Sequence, residues 1–299
     1  MNTAEPAREL PSRALSPLIL SCLASTWLIW GSTYLAIRFA LVGFAPFFMM
    51  ATRFLCAGLL LMAWQLVRRA PLPNRRQWLN ALIVGTLMLG GGMGGVAYAE
   101  QTVASGIVVS FIAIVPLYLV LINLAFGIRP PRSELVAVAI GVAGVLMLTQ
   151  GAALHGSPAG LLAIALGSSA WSLGSILSQR GLVLAAGASG FASELLCGGA
   201  ALLVMSAVHG EPWHWPTQAS AWLAWLYLTT FGSLIAFSAY MLLLARTRTS
   251  VAASYALVNP VVALILGVTL GQEAVSAWEW LSAAVVLLGV VLLFVSRRR

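Results

Sequence analysis

The sequence contains few charged residues, and two of the four common charged types are absent. Charged side chains make up 8% of the 299 residues; the 16 basic residues are all Arg and the 8 acidic residues are all Glu. Soluble domains carry roughly a quarter charged residues, and an apolar share of 61% is too high for a soluble globule or a disordered chain. Because lysine is missing, a phosphate-binding loop of the Gly-Lys type is excluded. The remaining solvent for such a chain is the lipid bilayer.

Cysteine and histidine are also scarce. The three cysteines lie inside apolar runs, at spacings unlike those of zinc or redox sites, and are expected to be small packing side chains. His209, Glu211 and His214 share one loop, but no further ligand stands at a metal-binding spacing. The sequence therefore predicts no metal site and no cofactor.

Ten apolar runs are long enough to cross a bilayer, whose hydrocarbon core of about 30 Å requires about 20 residues of helix. The runs are 18–39, 46–67, 78–98, 103–126, 133–150, 159–179, 188–208, 219–243, 250–270 and 277–296. The first is too long, and its flank too mixed in charge, for a cleaved signal peptide. The chain is therefore predicted to be an all-α membrane protein with ten transmembrane helices.

The arginines predict the orientation of these helices, because short cytoplasmic loops retain positive charge. If the N-terminus is cytoplasmic, 14 of the 16 arginines fall on the cytoplasmic side. The exceptions are Arg38, at the outer end of the first helix, and Arg53, within the second. This pattern predicts a multi-pass protein of the bacterial inner membrane with both termini in the cytoplasm. It also accounts for the net charge of +8 without nucleic-acid binding.

The two halves of the chain resemble each other, with identical residues recurring at an offset of first 141 and later 144 residues. The pairs are Trp30 and Trp171, Cys56 and Cys197, Gly58 and Gly199, Pro116 and Pro260, and Gly127 and Gly271. Each half holds five spans, an odd number, so the second half must be inverted in the membrane, as in many secondary transporters. We predict a polar cytoplasmic tail (1–14), a first five-helix repeat (15–151) and a second, inverted five-helix repeat (152–299) around a central cavity.

Several short motifs occur along the chain, and some of the first half are echoed in the second. They are Trp30-Gly31, Pro46 with Arg53-Phe54, Ala104, Ser105 and Pro116, Trp171, Ala252, Ser254, Asn259 and Pro260, and Gly271-Gln272-Glu273. With the five-plus-five layout, these motifs make residues 18–296 resemble the EamA-type transporters of the drug/metabolite transporter superfamily. The resemblance implies ten helices around a central cavity and export of small metabolites. Similar members include amino-acid exporters, some of which handle aromatic amino acids.

Two ionisable residues lie inside spans, where such residues usually face a cavity or the bundle interior. Arg53 and Glu194 are related by the offset of 141, and their depths differ by about 10 Å, so direct pairing is not expected. One interpretation gives Arg53 a substrate carboxylate and Glu194 an ammonium group or a proton. The other is structural, with Arg53 bound to backbone carbonyls and Glu194 reaching towards the inner surface.

Aromatic and hydroxyl side chains form stripes at helical spacing on spans 1, 6 and 8. A polar stripe facing lipid would leave its hydroxyls without partners, so each stripe should face protein or a cavity. Helix-to-helix hydrogen bonding is the alternative interpretation. The predicted substrate-binding residues are Trp30, Tyr34, Arg53, Tyr98, Trp171, Ser175, Glu194, Phe237, Tyr240 and Asn259.

These features favour a secondary transporter that exports small metabolites, amino acids including aromatic or apolar ones, by alternating access. The expected partners are a small-molecule substrate, the lipid bilayer and, for a proton-coupled carrier, protons; the sequence carries no signal for oligomeric state. An exporter of nucleosides or organic cations is an alternative. A membrane-embedded enzyme acting on lipid or peptide is another, but almost no residue inside the spans except Glu194 could serve it as an acid or base, so no enzymatic activity is predicted.

Overall fold

The computed structural model describes residues 16–103, 105–149, 157–271 and 276–295, and all regular secondary structure in these ranges is helical. The predicted tail, Ala104, Gln272 and Glu273 lie outside them. We number ten helical segments in chain order: α1 Pro17–Ala40, α2 Pro46–Val67, α3 Arg75–Ala99, α4 Ser105–Ile112 with Val115–Ala125, α5 Arg132–Thr149, α6 Pro158–Arg180, α7 Ala188–Val208, α8 Ala219–Arg246, α9 Thr249–Ala252 with Tyr255–Gly271, and α10 Ala277–Val295.

Each predicted span has a helical counterpart, which confirms the all-α membrane fold. Six of the segments, α1, α2, α3, α6, α7 and α8, are individually long and apolar enough to cross a bilayer. The segments α4 and α9 are each interrupted by a short turn, before Pro116 in α4 and before Tyr255 in α9. The ten segments form two groups of five.

The first helix of each group begins in the same way. Ser16 precedes Pro17 and Ser157 precedes Pro158, and both serines have an extended backbone. Each serine hydroxyl accepts a hydrogen bond from the backbone N–H three residues on, at 3.4 Å for Ser16 and 3.0 Å for Ser157. Because proline has no N–H to leave unpaired in the first turn, serine followed by proline is a strong helix start.

The third helix of each group contains a wide π-helical stretch, Thr86–Met93 in α3 and Leu228–Ala236 in α8. The glycine-rich stretch 90–95 lies within this helix and does not interrupt it. π-Helical turns are rare and occur frequently at functional sites. The stretch in α3 packs on α6 and α7, and the stretch in α8 packs on α1 and α2, so each third helix contacts the opposite half.

The two halves contact each other through matching residues. A Cβ on Gly58 of α2 would lie 2.9 Å from Leu196 Cγ, and a Cβ on Gly199 of α7 would lie 2.9 Å from Leu55 Cγ. Adding the repeat offset of 141 residues converts Gly58 into Gly199 and Leu55 into Leu196, so the two contacts are equivalent. Such reciprocal contacts are typical of a two-fold interface. The five-helix groups are therefore two inverted repeats, and α2 and α7 cross at the axis that relates them.

A similar reciprocal contact, at an offset of 145 residues, joins α5 and α10. Gly144 approaches the backbone of Val286, while Gly289 approaches the backbone of Gly141. Small residues allow this close approach in membranes, where helix association depends on van der Waals packing.

Candidate functional site

Four aromatic rings meet at the centre of the bundle, between α1, α6, α8 and α9. The ring centroid of Trp30 lies 5.6 Å from Trp171, 5.2 Å from Tyr240 and 4.7 Å from Tyr255. Trp171 is 5.3 Å from Tyr240 and 6.5 Å from Phe237. All five side chains are buried. We call Trp30, Trp171, Tyr240 and Tyr255 the central aromatic cluster.

Hydrogen bonds fix the orientation of these rings. The Tyr240 hydroxyl accepts from Trp171 Nε1 at 3.2 Å and lies 2.9 Å from the Ser175 hydroxyl. Trp30 Nε1 donates to the carbonyl oxygen of Gly232, in the π-helical stretch of α8, at 3.2 Å. Buried indole and phenol groups need such partners, and the stripe on α6 provides one of them.

A narrow cavity adjoins the central aromatic cluster. Its lining is mainly apolar and aromatic, with the polar side chains of Thr33, Tyr34 and Ser168: Trp30, Thr33, Tyr34, Gly92, Met93, Val96, Ile112, Val115, Gly167, Ser168, Trp171 and Tyr255. It offers about 40 Å³ to the centres of water-sized molecules, enough for a few waters. An aromatic ring would enter only after neighbouring side chains or helices move.

A larger cavity opens at the end of the bundle that carries the α1–α2, α3–α4 and α7–α8 connections, which we call the outer end after the arginine-based prediction. It offers about 440 Å³ to water-sized molecules. Tyr98 lines it, stacks on Phe47 with centroids 5.9 Å apart, and lies 5.6 Å from the His209 ring. Tyr98 therefore belongs to the outer cavity and does not line the central one.

Glu211 borders the outer cavity and holds the start of α2. Its carboxylate accepts from the backbone N–H of Phe47 at 3.0 Å and of Phe48 at 2.8 Å, and from the Ser206 hydroxyl at 2.7 Å. The preceding Ala45 gives this helix no side-chain cap. A carboxylate from the other repeat thus satisfies the free N–H groups and the helix dipole.

Arg53 is held by the π-helical stretch of α8. The side chain is 1% exposed, and its Nε donates to the Ser233 hydroxyl at 2.7 Å. A Cβ on Gly232 would lie 2.9 Å from Arg53 Nη2, so the guanidinium lies directly against this glycine. The neighbouring residues Gly232 and Ser233 of α8 therefore bind Trp30 and Arg53, respectively. Among the described residues no carboxylate pairs with Arg53, and it does not line the central cavity.

Glu194 is fully buried in α7, and neither carboxylate oxygen has a hydrogen-bond partner among the described residues. Its backbone is in close contact with α3, where a Cβ on Gly85 would lie 2.7 Å from the Glu194 carbonyl oxygen. A buried carboxyl without a partner is unfavourable when charged. Glu194, like Arg53, lies outside the lining of the central cavity, so its role with substrate or protons stays a prediction.

Asn259 joins α9 to α1 behind the central cavity. With its amide oriented so that the nitrogen donates, it reaches the carbonyl oxygens of Trp27 at 3.2 Å and Tyr255 at 3.0 Å. Its side chain also meets the Tyr34 hydroxyl. Asn259 thus fixes residues of the cavity wall from behind.

Comparisons with known proteins agree with this architecture. The model of the EamA-like transporter family matches residues 17–150 and again 158–295. The chain belongs to this family. "Uncharacterized inner membrane transporter YedA" of Escherichia coli K12 is 42% identical over 281 residues, covering 94% of this chain and 91% of the relative. "Protein PecM" of Dickeya dadantii is 26% identical, covering 89% and 86%. One solved crystal structure has the same fold, with a TM-score of 0.78 at 23% identity over 95% of this chain and 100% of that one.

As an EamA-like transporter the chain is a multi-pass inner-membrane protein. Its two family matches each contain five of the helical segments. Of the ten residues predicted to bind substrate, Trp30, Tyr34 and Trp171 line the central cavity, while Ser175, Phe237 and Tyr240 pack directly behind it. Sequence analysis missed Tyr255 and Thr33. Tyr255 directly follows the motif residue Ser254, and this neighbouring position could have indicated that it lies near the cavity.

Proposed function

We propose that this EamA-like transporter is a secondary carrier that exports small metabolites, and that amino acids with apolar or aromatic side chains are its substrates. The observation that carries the proposal is the central cavity, whose lining combines the rings of Trp30, Trp171 and Tyr255 with the hydroxyls of Thr33 and Ser168. Aromatic walls suit an aromatic or aliphatic side chain. They also attract an ammonium group through the ring faces, while hydroxyls donate to a carboxylate.

The two-fold arrangement of the repeats supports a mechanism of alternating access. Two inverted copies can exchange conformations, which exposes a central site to each side in turn. The outer cavity is larger than the central cavity, and we propose that the two join into one path when the outer end opens further. We propose that both termini are cytoplasmic and that export is driven by the substrate gradient or by a proton gradient acting on Glu194.

Other metabolite classes would bind the same cavity differently. An organic cation would use the aromatic faces and need no carboxylate partner, whereas a nucleoside would stack its base and use the hydroxyls. The described lining residues include no charged side chain, which favours ligands whose inserted part is apolar.

Reconstitution into liposomes tests the proposal. Liposomes loaded with unlabelled phenylalanine, leucine, uridine or tetraethylammonium are mixed with the labelled form of each compound, with and without a pH gradient. We expect saturable counterflow of the apolar and aromatic amino acids. Counterflow of uridine or tetraethylammonium alone would overturn the amino-acid assignment, and product formation without net movement would indicate an enzyme.

A further inference from the structure

One amide closes the inner end of the bundle. Gln179, near the end of α6, donates from Nε2 to the carbonyl oxygen of Leu244 in α8 at 2.5 Å. Its Oε1 accepts from the hydroxyl of Thr249, the first residue of α9. The side chain therefore joins α6, α8 and α9 at the end of the bundle opposite the outer cavity.

The repeat symmetry assigns counterparts to these three residues at the outer end. At the offset that aligns Trp30 with Trp171, Gln179 corresponds to Arg38 near the end of α1. At the offset that aligns Pro116 with Pro260, Leu244 corresponds to Glu100, just beyond α3, and Thr249 corresponds to Ser105, the first residue of α4. Gln179 joins its two partners where the inner end is closed. By symmetry, Arg38 should approach Glu100 and Ser105 when the outer end closes in the same way.

Arg38 and Glu100 form no ion pair or hydrogen bond with each other in the described state. Arg38 is exposed, and the ion pair found among the described residues, Arg248 with Glu134, does not include it. Glu100 is 9% exposed, and both of its carboxylate oxygens lack hydrogen-bond partners in the described part of the chain. Burial raises the pKa of Glu100, and the positive charge of Arg38 opposes this rise. The Glu100 carboxyl group thus lacks a hydrogen-bond partner among the described residues, and the charge of Arg38 acts on it from beyond ion-pair distance.

We propose that Arg38 and Glu100 form an outer gate, in which the guanidinium of α1 binds the carboxylate at the end of α3 when the outer cavity closes. An unpaired buried carboxylate is unfavourable, and a bidentate guanidinium contact compensates for its burial. At the inner end the Gln179 amide binds the backbone carbonyl of Leu244, whereas at the outer end the Arg38 guanidinium would bind the side-chain carboxylate of Glu100. This inference rests on the alternating access proposed above.

Cysteine cross-linking tests the contact without any substrate. In a variant with Cys22, Cys56 and Cys197 replaced by Ser, we would introduce the outer pair R38C with E100C, and as a matched control the inner pair Q179C with T249C. Oxidation should cross-link both pairs. Failure of the outer pair to cross-link, while the inner pair does, would overturn the gate.

Exchange measurements then show whether the contact belongs to the transport cycle. The outer cross-link should lower counterflow about tenfold, and reduction should restore it. Single charge reversals, R38E and E100R, should each lower counterflow about tenfold, and the double variant should recover to within about threefold of the parent. The control R68E changes the charge of an exposed inner-side arginine and should leave counterflow unchanged. Normal counterflow in the cross-linked protein would overturn the gate, whereas absent counterflow in the parent would overturn the proposed function and leave the cross-linking result standing.

Discussion

The rings of Trp30 and Trp171 meet edge to face at the centre of the protein, with their centroids 5.6 Å apart. They occupy the same position in the two repeats, so the two-fold axis passes close to their contact. A substrate at this place would touch one tryptophan from each half. Both halves therefore contribute equivalent atoms to the central cavity.

We predict that replacing one of these tryptophans by alanine abolishes most transport. Trp171→Ala removes a cavity wall and the indole that holds Tyr240, so counterflow of an aromatic amino acid should fall at least about tenfold, with a rise in KM. Trp171→Phe should retain part of the activity. Trp222→Ala, at the outer surface of the bundle, is the control. Unchanged KM in Trp171→Ala would place the substrate elsewhere.

Replacement of Glu194 separates a proton role from a structural one. The side chain is buried without a partner, so Glu194→Gln keeps its shape and removes its charge. If the residue carries the coupled proton, the variant should still exchange substrate but lose the acceleration by a pH gradient. Counterflow and gradient-driven uptake are measured on the same liposomes. Loss of folding in Glu194→Gln, seen as a lower thermal midpoint, would indicate a structural role.

The glycines at the crossing of α2 and α7 should be equally sensitive to substitution. A methyl group on Gly58 or Gly199 would lie within about 3 Å of a leucine of the other helix, and overpacking of this kind costs about 1–3 kcal/mol. Gly58→Ala and Gly199→Ala should lower the free energy of unfolding in detergent by similar amounts. Gly181→Ala, which meets no atom within 4 Å, is the control. Strongly unequal effects would contradict the two-fold contact.

Glu211 should stabilise the start of α2 from the other repeat. Glu211→Ala removes the acceptor for two backbone N–H groups and a favourable charge at the helix N-terminus, at a cost of about 1–2 kcal/mol. Glu211→Gln keeps one acceptor oxygen and should lose about half as much. Thermal unfolding in detergent measures both. A larger loss for Gln than for Ala would contradict this capping role.

The stability of the described state should fall as pH rises. The pKa of Glu100 is raised well above its ordinary value by burial, so the folded state binds a proton that the unfolded state has already lost. Stability is therefore highest below the ordinary carboxyl pKa and declines as pH rises through the higher folded value. Glu100→Gln should remove this decline. The difference in thermal midpoint between the parent and Glu100→Gln, followed across pH, checks the sign; a difference that does not change with pH would contradict it.

The helices and the repeat could be predicted from sequence because both depend on local pattern. Apolar length sets where a span begins and ends, and Ser-Pro at the start of α1 and α6 marks a helix start without knowledge of the rest. Trp30 and Trp171 are found through the same regularity. Each of these features depends on residues close together in sequence or on the repeat, and needs no knowledge of distant contacts.

The partners of the buried polar groups could not be predicted in this way. Arg53 binds Ser233, which is 180 residues away in sequence, and no spacing rule connects α2 with α8. Tyr98 was expected with the other aromatic residues, but it stands one residue before the end of α3 and packs on Phe47 and His209 at the outer cavity. Tertiary packing decides such contacts.

The wide stretches in α3 and α8 have a mechanical consequence. A π turn contains one residue more than an α turn, and if that surplus moves along the helix, each side chain it passes turns by about 100°. During such a shift only the backbone hydrogen bonds of the turn concerned exchange partners. In α8 the stretch ends at Ala236, directly before Phe237 and four residues before Tyr240. Its migration towards the end of α8 would therefore rotate both aromatic side chains about the helix axis while the helix stays folded.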